Sequence, residues 1–260
     1  MRKLLEKSVA LLIFVGLLGV GSIAQAAPPS AAEILDLLDQ TMGAEAKIMS
    51  QSMTLIAANG QQRTREMQMW SKQGTNGDQM LARFLAPADV KGTGILMNAD
   101  DMWLYLPALG KVRRVASHAK KGSFMGSDLT FDDMEQLGSK GFTPFYEPSL
   151  LGQEKLEGSS TFVLKLVPVD TSSDFSYLKM WVDSDIWLPR RIEYFGPEGT
   201  VLKVLTTWDL RQTEGRWMAQ KMIMEDQQKS SQTILEVKEV SFLESLDDSI
   251  FTTRSLERGM

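Results

Sequence analysis

The sequence predicts a mostly β protein of the α+β class, built on an antiparallel sheet of about ten or eleven strands with a few helices. Two observations carry this prediction. Apolar residues recur at alternate positions through most of the chain between Met49 and Phe242, which is the period of strands with one buried face. Turn sequences such as Ala58-Asn59-Gly60 separate these segments and join them in hairpin order. A sheet with this many strands is long enough to curl on itself.

The first predicted element after the N-terminal segment is a helix. Ser30 and Glu33 have the spacing of a capping box, in which each side chain accepts a hydrogen bond from the backbone of the other residue. Apolar residues follow at helical spacing as far as Met42, and Gly43 ends the run. The helix therefore has one apolar stripe, which must be buried against another element.

Strand periodicity begins after this helix and continues almost to the end of the chain. It is interrupted between residues 115 and 150 by a segment with several glycines and prolines, and such long inserts are usually functional or mobile. Within it we expect a short helix from about Thr130, with Asp132 and Asp133 in its first turn. The predicted strands lie at residues 49–55, 67–69, 80–85, 95–97, 102–106, 178–182, 192–195, 201–208, 217–225 and 233–242.

The N-terminus has the pattern of a cleaved secretory signal over residues 1–26. Three basic residues precede an apolar run at 9–20, and Ala24-Gln25-Ala26 supplies a small-x-small cleavage site. The run is about 12 residues long, whereas a membrane-spanning helix needs about 20. Because no cysteine follows the cleavage site, we expect one domain over residues 27–260 that is soluble in the periplasm and not lipid-anchored.

Composition narrows the classes of function. The chain has no cysteine and one histidine, which excludes thiol chemistry and zinc sites, and neither a metal nor a cofactor is expected. The formal net charge is −5, and it becomes about −7 once the signal is removed. Nucleic acid is therefore not an expected partner, because its binding depends on basic patches.

The single histidine, His118, begins the polar segment HAKKGSFMGSD. A catalytic triad needs a base that is oriented by a buried carboxylate and lies beside an activated nucleophile. Gly126-Ser127-Asp128 lacks the Gly-x-Ser-x-Gly pattern of a nucleophile elbow. We therefore interpret the segment as an exposed polar loop, assign no catalytic residue and do not expect an enzyme.

Methionine is abundant, with 16 residues in the chain, and many of these lie on one face of their predicted strands. Two interpretations remain open. The face is either an ordinary packed core or the wall of a cavity, because flexible and polarizable side chains adapt to apolar ligands of variable shape.

Five stretches of the chain resemble a known family: MQMWSK at 67–72, RFLAPADVKGTG at 83–94, DMWLYLP at 101–107, KVRR at 111–114 and FMGSD at 124–128. Together they resemble the outer-membrane lipoprotein-sorting (LolA-like) superfamily of periplasmic proteins, over most of the predicted mature chain. In the carrier that names this superfamily, an arginine directly follows the Trp-x-Lys triplet. Here that position holds Gln73.

The resemblance implies a half-open antiparallel β-barrel whose concave mouth is covered by helices and whose concave face binds acyl chains. It implies a soluble, monomeric periplasmic carrier or chaperone for a lipid or an acylated lipoprotein, with donor or acceptor proteins in the inner or outer membrane. An alternative function is a sensor or accessory domain that presents the same face to a membrane-protein partner, for example a transporter.

Two groups of residues are expected to form the site. The lysines of the lid would meet a lipid headgroup or a partner protein. The expected cavity lining is Met53, Met67, Met69, Met97, Trp103, Tyr105, Met180, Val182, Met222 and Met224, and the expected lid at the mouth contains His118, Lys120, Lys121, Phe124 and Met125.

Overall fold

The computed structural model describes residues 28–74 and 77–258, and the predicted signal peptide at 1–26 lies outside them. Within this part of the chain, thirteen strands form one antiparallel sheet that is not closed, accompanied by three α-helices, which confirms the mostly β class. The helices are α1 (Ala31–Met42), α2 (Phe131–Glu135) and α3 (Thr253–Arg258). The strands are β1 (Ala46–Ile56), β2 (Gln62–Lys72), β3 (Gln79–Ala86), β4 (Gly94–Asn98), β5 (Asp101–Leu106), β6 (Lys111–Val115), β7 (Tyr146–Leu156), β8 (Ser159–Pro168), β9 (Tyr177–Asp183), β10 (Pro189–Phe195), β11 (Val201–Thr213), β12 (Arg216–Asp226) and β13 (Ser231–Leu243).

The first and last strands meet in the middle of the sheet. β1 pairs with both β2 and β13, and the two halves extend outward from this pair to the edge strands β6 and β7. The segment that joins these edges, residues 116–145, is called the insert below. It crosses one face of the sheet, where its Phe124 packs beside Phe84 of β3 and its Asp128 bonds to Thr233 of β13. This covered face is called the inner face.

The expected number of strands is wrong, because β6, β7 and β8 were not predicted. β6 and β7 are edge strands with mostly exposed or partly exposed side chains, so they lack the alternation of a strand with one buried face. In β8 the consecutive residues Phe162, Val163 and Leu164 are all buried. A strand covered on both faces appears in the sequence as a continuous apolar run and cannot be recognised by period two.

Helices α1 and α2 both begin with a capping box, and the one at Ser30 was predicted. At α1, Ser30 N donates to Glu33 Oε2 at 2.7 Å and Glu33 N donates to Ser30 Oγ at 3.3 Å. At α2, Thr130 N donates to Asp133 Oδ2 at 2.7 Å and Asp133 N donates to Thr130 Oγ1 at 3.0 Å. The predicted helix near Thr130 is therefore confirmed; Thr130 is its N-cap and Asp133 completes the capping box.

The sheet separates two hydrophobic cores. The larger core lies on the inner face beneath α1 and the insert. The smaller one lies on the opposite, outer face, where the C-terminal residues Phe251 and Leu256 cover Trp70, Leu81 and Leu96. Among residues 28–74 and 77–258, the helices are too short or too polar to span a bilayer.

Candidate functional site

The inner face holds most of the residues that were predicted to line a cavity. They come from strands in both halves of the sheet and pack with α1 and the insert into one continuous core. Met222 is only partly buried and borders a small cavity that is described below. The other predicted lining residues on the inner face are at most 3% exposed, so they form packed core while the insert lies over them. Their contact with lipid stays a prediction. These residues are Met53, Met67, Met69, Met97, Met180, Val182 and Met224.

Two of the predicted lining residues lie elsewhere, and this corrects the expectation that all ten share one face. Trp103 and Tyr105 belong to the outer core, whereas their neighbours Met102 and Leu104 belong to the inner core. Successive side chains of a strand point to opposite faces, so the two aromatic residues cannot share the face of the methionines.

The insert contributes its own side chain to the inner core. Phe124, predicted as a lid residue, is fully buried. Its ring centroid lies 6.0 Å from that of Phe84 on β3 and 5.3 Å from that of Phe131 at the start of α2. Its neighbour Met125 is partly buried, and the backbone carbonyl of Met125 accepts a hydrogen bond from the guanidinium of Arg65 on β2. Phe124 therefore fills space between the insert and the sheet.

Asp128 attaches the insert to two central strands. Its carboxylate accepts hydrogen bonds from Ser231 Oγ at 2.6 Å and from Thr233 Oγ1 at 2.8 Å, both on β13. The Asp128 backbone N–H donates to Thr233 Oγ1 at 2.9 Å, and Lys203 Nζ of β11 donates to the Asp128 carbonyl at 2.7 Å. These four hydrogen bonds, called the Asp128 clamp below, hold the insert against the inner face.

A polar pocket of about 730 Å³ lies between the insert and the β8–β9 loop. Its base is a buried ion-pair cluster, in which Glu135 lies 3.3 Å from Lys120 Nζ and 3.0 Å from Lys140 Nζ. Burial raises the pKa of the neighbouring Asp132 to about 6, and repulsion from Glu135 adds to this shift. Lys121 reaches across the pocket to Asp170, 2.9 Å away. Predicted lid lysines therefore bind carboxylates of this chain.

The hydrolase-like residues are not brought together. His118 is exposed at the rim of the polar pocket. Neither nearby serine offers its hydroxyl to it, because Ser123 Oγ donates to the Ser127 carbonyl and Ser127 Oγ donates to the Leu129 carbonyl. In the described part of the chain, His, Asp and Glu side chains form no group of three that could hold a metal ion.

A second cavity, about 80 Å³ in volume, lies on the inner face near the end of α1. Its walls come from α1, the insert and strands β1, β10, β11, β12 and β13, and they are mostly apolar, with Met42, Met49, Leu137 and Met222 among them. Lys47 of β1 is the one charged residue among the described lining residues. Burial, followed by repulsion from Arg216, lowers the pKa of Lys47 to about 8.

Lys47 was not among the predicted site residues, although its position in the strand pattern carried a signal. Lys47 precedes Met49, Gln51 and Met53 at the same period of two, so a charged residue begins an otherwise inward-facing row. Gln51 in this row is 1% exposed, and its Nε2 lies 3.2 Å from the sulfur of Met69. Its Oε1 has no hydrogen-bond partner among the described residues.

Comparison with known proteins identifies the family of this chain. A protein-family model described as an uncharacterized protein matches residues 76–258. The chain shares 32% sequence identity with a domain from Vibrio parahaemolyticus that is assigned to outer-membrane lipoprotein sorting and whose crystal structure is known. The two structures superpose with a TM-score of 0.78, and the match covers 88% of this chain and 98% of that one. This chain belongs to the outer-membrane lipoprotein-sorting (LolA-like) superfamily.

Two further structures have the same fold. A DUF1329 family protein from Desulfovibrio piger is 27% identical, with a TM-score of 0.79 and coverage of 87% of this chain and 97% of that one. A LolA superfamily protein from Nitrosomonas europaea is 22% identical, with a TM-score of 0.71 and coverage of 86% and 98%. Curated proteins yield no match.

In this LolA-like chain, two basic residues of the motifs stabilise the outer face. Lys72, the last residue of the Trp70-Ser71-Lys72 triplet, donates to the Leu246 carbonyl at 3.1 Å and pairs with Asp248. Arg83 donates to the Leu256 carbonyl at 2.9 Å, near the end of α3. These family-like residues hold the C-terminal segment in place and do not approach the inner face.

Proposed function

We propose that this LolA-like protein is a soluble periplasmic carrier or chaperone that binds a lipid or an acylated lipoprotein beneath the insert. After removal of the signal, residues 27–260 would act as one half-open barrel domain. The observation that carries this proposal is the methionine-rich inner face, closed by an insert that the Asp128 clamp attaches to the sheet. The assignment of the Vibrio parahaemolyticus relative to lipoprotein sorting supports an acylated ligand.

Loading requires the insert to move, because a cavity of about 80 Å³ holds only a short part of an acyl chain. Breaking the four hydrogen bonds of the Asp128 clamp would cost roughly 5–10 kcal/mol, because three of them involve a charged group at about 1.5–3 kcal/mol each and the fourth is neutral at about 0.5–1.5 kcal/mol. Burial of roughly six to thirteen methylenes offsets this cost, at about 0.8 kcal/mol each. Methionine side chains can then repack around carbon atoms that take the place of the Phe124 ring. Such a balance suits reversible binding.

A disulfide that locks the insert tests this proposal. The Asp128 backbone nitrogen lies 2.9 Å from Thr233 Oγ1, so the two Cα atoms are close enough for a disulfide. The chain has no cysteine, so the double variant Asp128→Cys with Thr233→Cys can form only this one intramolecular disulfide. The oxidised variant should exclude a fluorescent fatty acid, and reduction should restore its binding.

The two single-cysteine variants control for loss of the Asp128 clamp itself, and both should bind the probe with or without reductant. Equal binding by the oxidised and reduced double variant would contradict loading beneath the insert. Native mass spectrometry of the protein purified from the periplasm should show a bound acyl species. A membrane protein bound in place of lipid would support the alternative sensor or accessory function.

A further inference from the structure

Lys47 differs from Lys120 and Lys140, the two lysines at the base of the polar pocket. Lys120 and Lys140 lie in the ion-pair cluster of Glu135, at 3.3 and 3.0 Å. Lys47 is partly buried at the wall of the small cavity, and none of the described carboxylates forms a salt bridge with it. An ammonium group that is partly withdrawn from water without an anionic partner carries a desolvation cost that an anionic ligand would offset.

The surroundings of Lys47 add positive charge. The Arg216 guanidinium donates to the Gly43 carbonyl at 3.0 Å and lies 5.3 Å from the ring of Phe242, which lines the same cavity. Its charge contributes to the lowered pKa of Lys47. Glu214, in the same turn, accepts a hydrogen bond from the Phe242 backbone N–H at 3.0 Å and forms no salt bridge with Lys47. The cavity therefore combines apolar walls with one positive end.

We propose that this cavity recognises the charged end of an anionic amphiphile, an alkyl chain that terminates in a carboxylate or a phosphate group. Lys47 would donate to the anion, Arg216 would add to the positive potential, and the chain would lie along Met49 and Met222. This inference rests on the proposed function, since it names the ligand class for the same inner face. A neutral acyl chain would leave the ammonium of Lys47 unpaired, and binding of such a chain should be weaker.

Four C12 probes separate charge from chain length: dodecanoate, dodecyl phosphate, dodecanol and dodecyltrimethylammonium. Each is titrated calorimetrically at pH 7 into the mature protein, below its critical micelle concentration. The wild type should bind the two anions roughly 10- to 100-fold more tightly than dodecanol, as expected for a hydrogen bond to a charged group, and the cation least. The ratio of dodecanoate to dodecyl phosphate affinity identifies which anion fits.

Variants of Lys47 assign this preference to one side chain. Lys47→Met should abolish the preference for the anions and leave dodecanol binding unchanged, whereas Lys47→Arg should keep it. Lys238→Met makes the same exchange at an exposed position of β13 and should change neither affinity. Thermal unfolding verifies that each variant is folded. If Lys47→Met does not fold, Lys47→Gln replaces it in the same measurements.

The outcomes distinguish this inference from the proposed function. Equal affinity of the wild type for dodecanoate and dodecanol would overturn the inference and leave the carrier function standing. A folded Lys47→Met variant that binds neither dodecanoate nor dodecanol would also overturn it, because binding would then depend on the shape of the cavity and not on its charge. If none of the four probes binds, the carrier function fails and the inference fails with it.

Discussion

The ring of Phe124 in the insert lies 6.0 Å from the ring of Phe84 on β3, although 40 residues separate them along the chain. This contact joins the insert to the inner core, and Phe124 is fully buried. A side chain in this position both stabilises the closed arrangement and occupies the space that an acyl chain would need.

Phe124→Ala should therefore lower stability and raise affinity for a fluorescent fatty acid. The loss should reach about 3–5 kcal/mol if the space stays empty, and ligand should recover part of it by filling the cavity. Thermal unfolding with and without probe measures both effects. Phe251→Ala, which truncates a buried ring of the outer core, is the matched control and should lose stability without any gain in affinity. Equal affinities of the two variants for the probe would contradict the idea that the Phe124 ring occupies the space of the acyl chain.

Met222→Glu and Met180→Glu should behave differently. Met222 borders the small cavity and is partly exposed, so its carboxylate can remain hydrated and stability should change by less than about 1 kcal/mol. Met180 is fully buried in the core, where an unpaired carboxylate should cost several kcal/mol. Urea unfolding measures both. Met222→Glu should also weaken binding of dodecanoate; an unchanged affinity would argue that the chain does not pass Met222.

Gln51→Met should stabilise the protein by about 1 kcal/mol. The Oε1 atom of Gln51 is buried without a hydrogen-bond partner among the described residues, and such an atom carries a desolvation penalty of about 1–3 kcal/mol. Methionine has a similar volume and suits the neighbouring Met69. Urea unfolding should show the gain, and Gln68→Met at a partly exposed position of β2 should not reproduce it. Destabilisation by Gln51→Met would indicate that Oε1 receives a hydrogen bond in solution.

Asp132 should make the protein less stable as pH rises from about 4 to 6. Its pKa is raised to about 6 by burial and by the charges of Glu135 and Asp133, which outweigh the opposing effects of Lys120 and Lys121. The folded state therefore holds a proton that the unfolded state, with an ordinary pKa near 4, has already released, and stability falls with rising pH in that window.

Asp132→Asn should remove this dependence, so that the variant is more stable than the wild type at pH 7 and close to it at pH 4. Chemical unfolding at several pH values measures the difference. Asp174→Asn, at an exposed position of the facing β8–β9 loop, is the control and should leave the pH profile unchanged. A constant difference between Asp132→Asn and the wild type from pH 4 to 7 would contradict the assignment.

The sequence by itself determined the features that depend on local pattern. Period two along Met49, Gln51 and Met53 predicted an inward-facing strand. The capping box at Ser30 predicted the start of α1, and the acidic first turn after Thr130 predicted the start of α2. The motifs predicted the superfamily. These predictions succeeded because alternation along a strand and the bonding of orphan N–H groups at a helix start involve residues only a few positions apart.

Tertiary structure alone decided what lies under the insert. Asp128 and Thr233, whose side chains form part of the Asp128 clamp, are 105 positions apart, and no local pattern relates them. The period of two in β1 places Lys47 on the inner face, but only β12 and β13 bring apolar side chains and Arg216 around it. Burial and electrostatic environment depend on which distant segments cover a side chain, and that information arises only when the sheet and the insert come together.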